Sequence, residues 1–145
     1  MILDKELQFS ASQAVTADAT STNVIDLGVG RNIFDGEPMA VVMNVEVAAD
    51  ATTGDETYEV EIHTDDNASM SSSTQLVGQA ILAAALTAGS THIIPIPVGA
   101  TVERYLALKY DVGGTSPSVT VSAYLQPLSM IPKQRYYANR STITN

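Results

Sequence analysis

The sequence predicts an all-β protein: an antiparallel β-sandwich with jelly-roll wiring and extended N- and C-terminal arms. Three observations point there. Apolar and polar residues alternate in short runs, most plainly at Met39, Val41, Met43, Val45 and Val47, with Asn44 and Glu46 on the other parity. Such period-2 patterning sets one face of a strand toward a core and the other toward water. Clusters of Gly, Pro, Asp, Asn and Ser separate the runs, as turns separate strands. Helix signals are nearly missing: Ala80-Ile81-Leu82-Ala83-Ala84-Ala85-Leu86 has the propensity, but it is short, uncapped and preceded by Gly78. Seven or eight short strands suit a sandwich. Long connections between some of them favour jelly-roll wiring over a meander. Residues 1–21 are assigned to an N-terminal arm, 22–127 to the sandwich and 128–145 to a basic C-terminal tail.

Residues 1–21 are rich in Ala, Ser and Thr, with scattered apolar positions at Leu7, Phe9 and Val15, and read as an extended arm with one short strand. A short strand over 22–27 ends at Gly28-Val29-Gly30, and 31–38 is a loop punctuated by Gly36 and Pro38. In the second alternating run, Tyr58, Val60 and Ile62 interleave with Glu59, Glu61 and His63. Asp50-Ala51-Thr52-Thr53-Gly54-Asp55-Glu56 between the two runs is turn chemistry, so 37–66 reads as one long antiparallel hairpin. Residues 65–73 form a polar connection. A calcium loop is conceivable from its oxygen donors, but neither a glycine nor a bidentate glutamate follows at loop spacing, and a solvated turn is favoured.

Residues 75–80 form a strand, and 80–86 continue as strand and turn. Pro95 and Pro97 lack amide protons at i and i+2, so the strand over 92–98 can pair on one side only and belongs at a sheet edge. Such an edge invites solvent or a second subunit; a homo-oligomer, with a dimer favoured, is expected. Leu106, Leu108 and Tyr110 share a face over 103–112. Gly113-Gly114-Thr115-Ser116-Pro117 turns the chain, and Val119, Val121, Ala123 and Leu125 form the last apolar face before Pro127. The core should come from Val41, Met43, Val45, Tyr58, Val60, Ile62, Leu106, Leu108, Val119 and Val121.

With 145 residues the chain suits one domain. It has no cysteine, hence no disulfide framework and no thiolate metal site. Its net charge of −9 argues against nucleic acid as a partner. No run approaches the ~18 apolar residues of a membrane-spanning helix, and the first residues lack the pattern of a signal peptide. All sixteen acids lie at or before Asp111. Residues 1–111 hold four Lys/Arg and carry −12, whereas 112–145 hold three and carry +3. An acidic body with a basic tail suggests that the tail meets something else.

Catalytic constellations are weak. His63 and His92 are the only histidines, neither stands near a nucleophile-elbow motif, and both read as solvated surface residues. Glu59 and Glu61 could form a glycosidase pair, but i, i+2 carboxylates on an exposed strand are ordinary solubilising charges. Gly28-Val29-Gly30 lacks the third glycine and the following helix of a dinucleotide site. No enzyme activity and no cofactor are expected. The tail differs: Lys133, Arg135, Tyr136, Tyr137 and Arg140 combine guanidinium groups with adjacent tyrosines, side chains enriched at protein contacts. Ile2, Leu3, Leu7 and Phe9 offer a second, more hydrophobic attachment.

Several blocks resemble the Bbp16-type capsid cement (decoration) proteins of tailed bacteriophages. These are Ile2-Leu3-Asp4-Lys5-Glu6-Leu7-Gln8-Phe9-Ser10, Ser21-Thr22-Asn23-Val24-Ile25-Asp26-Leu27-Gly28, Gly36-Glu37-Pro38 and Leu86-Thr87-Ala88-Gly89. Arg104-Tyr105-Leu106-Ala107-Leu108 and Tyr110-Asp111-Val112-Gly113-Gly114-Thr115 match the same pattern. The blocks carry the likeness by order and spacing across most of 1–127; residues 133–145 lie outside it. The resemblance implies a jelly roll on the outer surface of an HK97-type shell, clasping neighbouring major capsid proteins, with no catalytic residues. It also implies a virion location after synthesis in the host cytoplasm. The alternative is a carbohydrate-binding jelly roll of a phage tail or adhesin, against which stand the absence of tryptophan and the scarcity of aromatics for sugar stacking.

Overall fold

Alternation gives each strand one apolar face, and two sheets meet through those faces. The computed structural model describes residues 4–30 and 36–131. Among the described residues nine strands follow one another: β1 (Gln8–Val15), β2 (Ala19–Thr20), β3 (Ile25–Asp26), β4 (Met39–Val47), β5 (Thr57–Asp65), β6 (Thr74–Ala80), β7 (Thr91–Pro95), β8 (Tyr105–Gly113) and β9 (Val119–Pro127). Sheet A runs β1-β9-β4-β7. Sheet B runs β2-β8-β5-β6, with β3 also on β8. Every pairing is antiparallel. With β2 and β3 taken as one interrupted strand, first pairs with last and the rest wind inward between two sheets, which is a jelly roll. Single 3₁₀ turns occupy Lys5–Leu7, Ala83–Ala85 and Leu128–Met130.

All ten expected core residues are buried, and Glu59 and Glu61 lie on the opposite face of β5. Fully burying one such Leu, Ile or Val contributes about 1.5–3 kcal/mol, so a register slip that exposed a whole face would unfold the sandwich. β4 is buried on both faces: Val41, Met43 and Val45 point to sheet B, Ala40 and Val42 away from it. That two-sided burial accounts for its unbroken apolar run.

Three expectations are corrected. β4 and β5 are not a hairpin; β4 pairs with β7 and β9 in sheet A, and β5 with β6 and β8 in sheet B. Two alternating strands can bury their apolar faces by pairing or by facing each other across a core, and period-2 patterning is the same in both cases. Residues 8–20 are not an arm but supply β1 and β2; register shifts on either side of Ser10 break the alternation that would have revealed β1. The segment 80–86 leaves β6 and closes as the 3₁₀ turn Ala83–Ala85 rather than continuing as strand. The edge assignment holds. β7 ends sheet A, and Ile96 N–H donates to Met39 O (3.0 Å), which sets the Pro95 nitrogen on the free side.

Candidate attachment surface

One end of the sandwich gathers both ends of the described chain. β1 begins there and β9 finishes there as neighbours, with Gln8 opposite Tyr124. The chain then turns through Leu128–Met130, where Leu128 N–H donates to Pro38 O (2.8 Å). The loops of sheet B arrive at the same end. Leu27 N–H donates to Arg104 O (2.8 Å), and Glu103 N–H donates to Thr64 Oγ1 (2.8 Å). Large apolar side chains stand out of these connections: Val29 is 62% exposed, Val98 74% and Met130 66%. Beside them Arg104 grips Asp26 with both arms, Nε–Oδ1 and Nη2–Oδ2 each 2.9 Å, while its guanidinium lies 5.0 Å from the Tyr105 ring centroid. The Arg104 bonds, with the Gly28 amide, hold the Asp26 carboxyl down at about 2. Exposed aliphatic tips around an aromatic–guanidinium pair are the residue types of a protein contact.

Of the partner-binding residues named from sequence, Leu7 lies half-buried against the core. Phe9 is corrected: it is fully buried in the core, 0% exposed, and cannot reach a partner. Ile2, Leu3, Lys133, Arg135, Tyr136, Tyr137 and Arg140 lie outside the described residues.

The far end is acidic and internally bonded. Asp50 accepts from Thr52, Glu56 from Thr53, and Asp55 from Thr53 Oγ1 (2.6 Å) and Thr115 Oγ1 (2.9 Å). Nearby on sheet A, Glu46 accepts from Ser12 Oγ (2.6 Å) and from Ser122. Hydroxyl donors hold all four carboxyls below their usual range. Asp50 and Glu56 brace their own loop, Asp55 ties it to the turn before β9, and Glu46 joins β4 to β1 and β9. Among the described residues, no group of three or more His, Asp or Glu side chains is placed to hold a metal ion.

His63 is not the solvated residue expected; it is 8% exposed. Its Nδ1 lies 3.0 Å from Ser73 Oγ and its Nε2 2.8 Å from Glu61 Oε2. Serine, histidine and carboxylate thus stand in the order of a hydrolase triad, though with the two ring nitrogens exchanged. The visible work of this chain of bonds is to tie the residue just before β6 to β5. Sequence reading missed it because a register shift brings Ser73 back over His63. His92 Nε2 lies 3.2 Å from both Ser90 Oγ and Ala85 O, joining β7 to the 3₁₀ turn. Residues 65–73 are more than a solvated turn, for buried Asp65 accepts from Asn67 N–H (3.0 Å) and Ser72 N–H (2.9 Å) and organises the loop.

A protein-family model described as Bbp16 matches residues 9–125, from the first core residue in β1 to the last in β9. No curated protein matches the chain. Among the described residues no helix is long and apolar enough to cross a membrane.

Proposed function

The chain belongs to the Bbp16 family, and from that premise we propose that it is a structural capsid cement protein. It binds the outer surface of a tailed-phage shell and stabilises it by bridging neighbouring major capsid proteins, without catalysis or cofactor. The observation that carries this reading is the convergence of both ends of the described chain, with the exposed tips Val29, Val98 and Met130, on one end of the sandwich. A single end that gathers the start of β1, the end of β9 and apolar loop tips can contact more than one subunit at once. Many modest contacts repeated over a lattice then gain strength by multivalency. The far end, with its carboxylates bonded to their own loops, faces solvent. Co-sedimentation of the purified chain with assembled shells tests the reading, and shells so decorated should survive heating better than bare ones. Failure to bind shells, together with specific retention on a glycan array, would turn the assignment to the carbohydrate-binding alternative.

A further inference from the structure

Ser73 stands apart from the serines around it. Ser69, Ser71 and Ser72 are exposed, whereas Ser73 is half-buried, with its Oγ 3.0 Å from His63 Nδ1. That bond is not needed to hold the chain in place. Buried Asp65 already takes the Ser72 N–H (2.9 Å), and Thr74 is paired with Thr64, so this stretch is fixed to β5 on both sides of Ser73.

The other ring nitrogen settles where the proton lies. His63 Nε2 is 2.8 Å from Glu61 Oε2, and a carboxylate only accepts. Nε2 therefore carries the ring proton, and Nδ1 turns its lone pair to the Ser73 hydroxyl. Either nitrogen of a neutral imidazole can be the base, so exchanging the two relative to a hydrolase triad leaves the chemistry intact. The His63 and Glu61 side chains are only 10% and 21% exposed, which keeps the pair's electrostatics from being damped by water. In register, Ala107 of β8 and Gln75 of β6 flank His63, and Lys109 of β8 stands opposite Glu61. Glu61 and Asp65 on β5 and Lys109 on β8 are the charged groups these strands bring nearest the imidazole.

We propose that Ser73 is an activated nucleophile, a modification site that takes one acyl group from an activated ester or thioester. Oγ bonds to the acyl carbon while its proton passes to His63 Nδ1, and Glu61 balances the imidazolium so formed. The bond from the acyl carbon to the leaving oxygen or sulfur then breaks. The proton on Nδ1 goes to that atom, leaving a serine ester on the chain and a free alcohol or thiol. What the site supplies is a base, so the donors are those whose leaving group departs readily, aryl esters and thioesters rather than amides. The transfer is stoichiometric. It adds a modification site to a structural protein, and it stands whether or not the chain binds shells.

The test incubates the full chain with p-nitrophenyl acetate and locates the acetyl groups by peptide mass. Ser71 and Ser72 are the internal control, because they share the loop but not the imidazole. Ser73 should be acetylated on the order of 100-fold faster than either, the usual scale of help from a positioned base. H63Q should bring Ser73 down to the rate of its neighbours. Glu61 acts through the imidazole, as a positioning residue. E61Q should therefore slow Ser73 and shift the pH profile of its acetylation, while Ser71 and Ser72 keep theirs. Acetylation of Ser73 no faster than that of Ser71 and Ser72 overturns the proposal, as does an unchanged rate in H63Q. Should H63Q fail to fold, the comparison among serines of the unaltered chain still decides.

Discussion

At the residue scale, the turn between β8 and β9 shows how one missing side chain holds two connections together. Gly114 has φ +91°, and a Cβ there would stand 2.5 Å from Asp55 O. With nothing in the way, the Asp55 carboxylate takes the Thr115 N–H (3.1 Å) and Thr115 Oγ1 (2.9 Å), pinning the loop between β4 and β5 to this turn. G114A should therefore cost more than left-handed strain alone, about 2–4 kcal/mol once the displaced Asp55 backbone is included. Gly54 provides the control, because its φ is +77° but nothing lies within 4 Å of the added carbon. Equilibrium urea unfolding should show a clearly smaller loss for G54A; equal losses in the two variants would remove the claim of contact with Asp55. The Arg104–Asp26 pair contributes little stability by comparison, since both side chains are about half exposed. Its place is at the proposed attachment surface.

At the element scale, what was legible followed from local chemistry. The parity of β4, β5, β8 and β9 gave the buried faces, and Pro95 and Pro97 gave the edge. What was not legible was relational. Whether Val45 and Tyr58 sit side by side in one sheet or face each other across two is set by their partners Val121 in β9 and Val112 in β8, 76 and 54 residues away in the chain. The bulged β1 lost its period and passed for an arm, which also misplaced Phe9 among the partner-binding residues. His63 and Ser73 met only because β6 returns over β5. The prolines of β7 carry a prediction of their own. P95T/P97T restores outward amides on that strand without touching its bonds to β4. The sandwich should keep its unfolding midpoint, within about 0.5 kcal/mol, while light scattering rises with concentration. Scattering identical to that of the unaltered chain would show that proline is not what guards this edge.

At the scale of the whole molecule, the acidic body and the basic tail are separable in charge. Among the described residues, the buried core runs from Phe9 to Leu125, and the two sheets close on one another within those bounds; removing residues 133–145 should leave the midpoint of thermal unfolding where it is. The same truncation takes away Lys133, Arg135 and Arg140 and leaves −12. Arginine offers planar two-bond contacts to carboxylates, and Tyr136 and Tyr137 add apolar area with a polar tip, suited to a partly wet interface. Attachment to a shell through such groups is electrostatic in part, hence screened by salt. The full chain should bind shells about 10-fold more tightly than the truncated one at low ionic strength. Raising the salt should weaken the full chain more steeply, until the two binding curves approach each other. Equal affinity and equal salt dependence would remove the tail from the attachment and leave it to the apolar tips and the N-terminus. A truncated chain that no longer folds would instead assign the tail to its own sandwich.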